Sequence, residues 1–167
     1  MGHPEYRINV NLSVVQLLQN DIVERIRTVL EETKMRPENL TLEVTESLAI
    51  NDIGRMKKVL SKIKELGALI ALDDFGTGYS SMALLKDMPL DIIKIDKSFI
   101  DGIATGELNN KDMLMTQDIL TMARHLGIKS LAEGVETFEQ KEYLKEWGCH
   151  YICLLYTSPS PRDTERS

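Results

Sequence analysis

The chain has 167 residues, 43% of them apolar, with a net charge of −6. That is enough apolar material for one domain with a real core, and acids and bases are mixed along it, which argues against binding nucleic-acid polymers or anionic membranes. Two cysteines without a zinc-register partner, no bilayer-length apolar stretch and no signal peptide point to a reduced, cytoplasmic setting.

The first apolar run, Ile8-Asn9-Val10-Asn11, ends in a polar residue. From Gln16 to Lys34, residues Leu17, Leu18, Ile22, Ile26 and Leu30 recur at helical spacing and predict one helix. A second run, Leu40-Thr41-Leu42-Glu43, precedes a helix over Ile53 to Leu66 with Met56, Leu60 and Ile63 on its apolar face. Leu66-Gly67 stops that helix and leads into Leu69-Ile70-Ala71-Leu72-Asp73-Asp74. The step to the fourth run, Ile92-Ile93-Lys94-Ile95-Asp96, leaves room for a short helix only. Asp101 to Lys111 reads as a polar loop placed to lie over a site. Met113, Met115, Ile119, Met122 and Leu126 then mark a helix whose methionines are ordinary core, with His125 complementing its C-terminal dipole. Leu126-Gly127 repeats the stop before Ser130-Leu131-Ala132-Glu133. Thr137 and Gln140 have the spacing of a capping box, and Trp147-Gly148 is a third helix–glycine joint. Residues 158–167, rich in Ser, Pro and Arg, have no hydrophobic periodicity and are expected to be disordered.

Five runs therefore end in Asn11, Glu43, Asp73, Lys94 and Glu133, at steps of 32, 30, 21 and 39 residues. Burying a charged group among aliphatic side chains is costly unless a partner or metal compensates it. Steps of this size suit strand–helix units with a parallel sheet. The expected fold is an α/β, partial TIM-type (β/α) barrel of five or six units, because a complete barrel takes about 250 residues. All five polar residues fall at the strand ends that precede a helix, which is the catalytic face of such a barrel.

The ordered set of motifs resembles the EAL family of cyclic-di-GMP phosphodiesterases. The stretches that carry the resemblance are Asn11-Leu12-Ser13 with Gln16-Leu17, Glu43-Val44-Thr45-Glu46-Ser47, and the block from Asp73-Asp74-Phe75-Gly76-Thr77-Gly78 to Ser81. Lys94-Ile95-Asp96 with Ser98-Phe99 and Ala132-Glu133-Gly134-Val135-Glu136-Thr137 complete it. The block from Asp73 to Ser81 is the most specific of them. The resemblance implies that Asn11, Glu43 and Asp73 bind a divalent metal directly, that Asp74 helps hold a second, and that Lys94 lies beside the attacking water. Glu133 would bind metal directly or through water. Asp96 and Glu136 would stand behind that shell, and Glu46 would pin the loop from Phe75 to Ser81, where Gly76 and Gly78 let the backbone pass close to the site. The implied reaction is hydrolysis of cyclic-di-GMP to linear pGpG with two Mg²⁺ or Mn²⁺ ions. The implied partners are a second copy when the domain is complete and flanking sensor or GGDEF-type domains.

The chemistry agrees with the resemblance. Oxygen donors without His or Cys favour Mg²⁺ or Mn²⁺ over zinc, and metal ions allow carboxylates to approach an anionic phosphodiester. Taken singly, each residue keeps an ordinary reading. Asn11 suits a strand-end turn, Glu43 a solvent-facing strand position, Lys94 a salt bridge to Asp96, Glu133 a turn, and Glu136 the start of a helix. Two parts of the family pattern are absent: the Glu-Ala-Leu motif, which belongs upstream, and the Gln-Gly-Tyr run, in whose place stands Cys153-Leu154-Leu155. The expected division is a partial domain over 1–152 and an unrelated tail over 153–167, with the fragment inactive by itself. Two rivals remain: a non-catalytic cyclic-di-GMP sensor, and a barrel enzyme that abstracts a proton next to a carboxylate.

Overall fold

The computed structural model describes residues 6–45, 53–75, 82–104 and 111–154. Strands β1 (Ile8–Asn11), β2 (Leu40–Thr45), β3 (Leu69–Phe75), β4 (Ile92–Ile95), β5 (Lys129–Val135) and β6 (Tyr151–Leu154) form one sheet in chain order. Every neighbouring pair is parallel. Helices α1 (Val14–Leu17), α2 (Ile22–Thr33), α3 (Ile53–Glu65), α4 (Met82–Asp87), α5 (Lys97–Asp101), α6 (Lys111–His125) and α7 (Phe138–Glu146) alternate with the strands. This is the expected partial (β/α) barrel.

The core lies between strands and helices. Leu42, Val44, Ile70, Leu72, Ile93 and Ile95 pack with Met56, Leu60 and Ile63 of α3, Leu120 and Ala123 of α6 and Leu144 of α7. Each such Val, Leu, Ile or Met side chain contributes on the order of 1.5–3 kcal/mol when removed from water. Burial fades toward the rim, where Ile8 and Val10 of β1 are 45% and 42% exposed. The helix–glycine joints form as expected, with Gly67, Gly127 and Gly148 all at positive φ.

Three local expectations change. The helix predicted over Gln16 to Lys34 is two helices. Ser13 and Gln16 make a capping box that starts α1, the chain turns after Leu17, and α2 begins at Ile22. Arg55 of α3 holds the turn, donating to the Leu18 carbonyl at 2.7 Å and to Asn20 Oδ1 at 2.9 Å. Of the loop expected over Asp101 to Lys111, Asp101 closes α5, Gly102–Ala104 is a 3₁₀ turn and Lys111 opens α6, and 105–110 lie outside the described residues. On α6 the buried face is Met113, Thr116, Ile119, Leu120 and Ala123, whereas Met115 is 46% exposed, so it is not core. A spacing of two from Met113 puts Met115 on a different side of the helix.

Candidate metal centre at the strand ends

Alternation along a strand sends every second side chain to the same face, and the register then gathers the polar ends. Asn11 pairs with Glu43 across β1 and β2. On β3 the pairing to β4 runs Leu72–Ile93 and then Phe75–Ile95, so Asp73 and Asp74 together oppose the single residue Lys94. That is a β-bulge, which bends a strand and re-aims a side chain. A second bulge lies on β5, where Ala132 pairs with Ile152 and Val135 with Leu154, leaving Glu133 and Gly134 opposite Cys153. Cys153, which stands where the family resemblance expects Gln, is thus at the site end of β6, and the strand runs on to Leu154. The remainder of the expected tail, 155–167, lies outside the described residues.

Lys94 is the centre of the arrangement. Its Nζ lies 3.0 Å from Glu43 Oε2, 2.9 Å from Asp73 Oδ1 and 2.9 Å from Glu133 Oε1. Glu43 and Lys94 are only 6% and 7% exposed. Burial pulls the ammonium down in pKa, but its hydrogen bonds to Glu133, Asp73 and Glu43 outweigh this and hold it above the ordinary lysine range. The partner of Lys94 is thus this trio rather than Asp96, and Glu43 faces the interior rather than solvent. One ammonium meets three carboxylates, so the cluster keeps surplus negative charge, with Glu43 and Asp73 poorly solvated and Glu133 39% exposed.

The surrounding shell fixes these groups. Asp74 adopts a left-handed backbone, φ 54°, and its N–H donates to Asp73 Oδ1 at 3.1 Å. Loss of solvent, then the charges of Asp73 and Asp96, raise the Asp74 carboxyl pKa, with Lys94 opposing them. Asp96 caps α5, accepting from the Ser98 N–H at 2.9 Å and its hydroxyl at 2.6 Å, bonds that lower its pKa. Glu136 accepts from Lys97 at 3.2 Å. Lys97 also pairs with Asp101, and its stem runs across Gly134, where an added Cβ would meet Lys97 Cγ at 2.5 Å. Gln140 accepts from the Glu136 and Thr137 N–H groups at 2.8 and 3.0 Å and donates to the Ile100 carbonyl at 3.1 Å.

The structure therefore brings Glu43, Asp73, Lys94 and Glu133 into contact, with Asn11 and Asp74 beside them in register. Asp96 and Glu136 sit at the same end of the sheet, bonded to α5. Glu46, Gly76 and Gly78 lie outside the described residues. Sequence reading missed Asn9, Lys97 and Gln140 as parts of this shell. Asn9 shares the strand parity of Asn11, and Gln140 showed only as a capping residue. Nothing local marked Lys97.

The donor set fits a hard divalent cation, because carboxylate and amide oxygens are its characteristic ligands. The described residues contain no group of three acidic, His or Cys side chains already closed around a cation position. The cation that Glu43, Asp73 and Glu133 share in this arrangement is the Lys94 ammonium.

Comparison with known proteins gives a consistent picture. The EAL domain family model matches residues 1–159. The cyclic di-GMP phosphodiesterase NbdA of Pseudomonas aeruginosa is 38% identical over 161 residues, 96% of this chain and 20% of that protein. The solved structure of the MucR phosphodiesterase in complex with c-di-GMP superposes with a TM-score of 0.81 at 38% identity, covering 90% of this chain and 60% of that one. Klebsiella pneumoniae BlrP1, solved with manganese and cy-diGMP, superposes with a TM-score of 0.77 at 29% identity, covering 87% of this chain and 37% of that one. The chain spans between 19% and 30% of the length of the curated relatives it matches. No described helix is long and apolar enough to cross a membrane.

Proposed function

The chain belongs to the EAL domain family, and on that premise we propose that the domain it contributes to hydrolyses one phosphodiester of cyclic-di-GMP, giving linear pGpG. The observation that carries this reading is the Lys94 cluster, in which three strand-end carboxylates converge on one ammonium. Asn11, Glu43 and Asp73 are the residues we assign to one divalent ion, with Asp73 and Asp74 holding a second and Glu133 beside them. Mg²⁺ or Mn²⁺, when bound, would offset the carboxylate charge and polarise the phosphoryl group and water.

The chain's own residues have separate tasks. Lys94 stays protonated at neutral pH, so its Nζ acts as a donor that orients water and stabilises charge developing on phosphoryl oxygen. Asp73 and Glu133 reach that same Nζ from positions two residues beyond Ala71 and Leu131, which pair with Glu43 and Lys94, so strand alternation puts them on its face. In the reaction a bond forms between water oxygen and phosphorus, one P–O ester bond breaks, and the departing ribose oxygen takes a proton. Asp74, whose carboxyl is held above the usual Asp range by loss of solvent and by Asp73 and Asp96, lies next to Asp73 opposite Lys94. A second copy of the completed domain and flanking sensor or GGDEF-type domains are the partners we assign to the parent protein.

By itself the chain presents this site on an open six-stranded arc, and we expect it to bind cyclic-di-GMP in the presence of Mn²⁺ without appreciable turnover. Calorimetry with and without Mn²⁺, together with chromatography for pGpG, tests this. Mn²⁺-dependent binding supports the assignment, and pGpG formation would extend it to activity of the chain. Absence of both would overturn it. Grafting the chain into the longer domain of a relative such as MucR, of which the match covers 60%, separates enzyme from sensor, because a sensor would bind the nucleotide and leave it intact.

A further inference from the structure

We propose that Asn9 is a positioning residue that fixes the carboxylate of Glu43. Its Nδ2 donates to Glu43 Oε1 at 2.8 Å, while Lys94 donates to the other oxygen, Oε2, at 3.0 Å. The two oxygens of one buried carboxylate are thereby held from two sides by different donors. The sheet register explains how. Asn9 pairs with Thr41, so its side chain reaches forward diagonally to Glu43, whose direct neighbour on β1 is Asn11.

A single donor would not define that carboxylate. The terminal torsion of a Glu side chain is broad, and Lys94 divides its ammonium among three acids. A second donor on the opposite oxygen sets the plane of the group. An amide does this on a short stem and without adding a positive charge that would compete with a cation. Each carboxylate oxygen has two lone pairs, so the bond to Asn9 leaves capacity on Oε1 for a metal ion. Partners that orient a ligand in this way commonly change metal affinity by about 10–100-fold when removed.

The inference rests on the proposed metal-binding role of Glu43, and its test separates the two. Mn²⁺ affinity is measured by electron paramagnetic resonance on the 167-residue chain, on Asn9→Leu and on Ile8→Ala, whose side chain projects from the opposite face of β1. All are held at a temperature where circular dichroism shows the chain folded. The expected result is a loss of at least about tenfold in affinity for Asn9→Leu, with Ile8→Ala lowering the melting temperature and leaving the affinity unchanged. Equal affinity of Asn9→Leu and the parent chain overturns the proposal, as does an equal loss in Ile8→Ala. If the parent chain binds no Mn²⁺, the metal assignment fails, and if Asn9→Leu does not fold, its affinity cannot be compared. In either case the Asn9 side-chain amide resonance of the metal-free chain decides. One amide proton shifted downfield that returns upfield in Glu43→Ala supports the positioning role, and an unmoved resonance overturns it.

Discussion

At the end of β3 the backbone enters the left-handed region at Asp74, φ 54°, and at the end of β5 it does so at Gly134, φ 71°. Both residues follow an acid that reaches Lys94, and both lie in a one-residue bulge. Gly134 is what the backbone asks for, since the Lys97 stem fills the space a Cβ would need. Asp74 is not. A non-glycine residue in this conformation costs about 1–2 kcal/mol, less for Asp and Asn than for others. Its carboxyl also loses solvent and faces the charges of Asp73 and Asp96. A strained non-glycine residue at this point is what the proposed metal-binding role of Asp74 would ask for, whereas Gly134 marks a position where packing decides.

The most severe way to break this comparison is to remove the group both bulges serve. Lys94→Met leaves Glu43, Asp73 and Glu133 facing one another and is expected to destabilise the metal-free fold by about 3–5 kcal/mol. Urea unfolding measures this, and Mn²⁺ is expected to recover part of the loss by binding the folded state. Next in size is Gly134→Ala, which combines backbone strain with the Lys97 contact and is expected to cost about 2–4 kcal/mol. Adding Lys97→Ala should relieve the part due to Lys97 Cγ and Cδ while leaving the contact with its Cβ at 2.8 Å, so a double-mutant cycle reads the coupling carried by the longer stem.

Asp74→Gly inverts the expectation for the other bulge. Thermal unfolding should show a stability unchanged or raised by up to about 1 kcal/mol, while the number of Mn²⁺ ions bound falls by one. The smallest effect concerns the cap beside them. Asp96→Ala should cost about 1 kcal/mol, and Asp96→Asn much less. Because the Asp96 carboxyl is lowered by its bonds to Ser98, its contribution is present above the unfolded value of about 3.9 and is lost as pH falls through the folded value. The stability difference between the chain and Asp96→Ala should therefore shrink only in acid.

The division between legible and illegible residues follows the length of the contact. Thr137 and Gln140 were readable as a capping box because the bonds span three residues. The second use of Gln140, its bond to the Ile100 carbonyl, spans 40 and left no local trace. The run from Gln16 to Lys34 looked like one helix because its apolar spacing continues across the turn. The turn is held by Arg55, 37 residues away from the carbonyl it satisfies.

By itself, then, the order of residues determined the alternation of strands and helices, the glycine stops and the polar ending of each inner strand. These are properties of spacing and of backbone conformation, and they need no knowledge of neighbours. Which polar groups meet was decided only by the folded sheet. Lys94 reaches Glu43 across 51 residues of sequence, and Asn9 reaches it across 34. The register of the parallel strands set those meetings. A one-residue change in that register would send the same side chains to the opposite face.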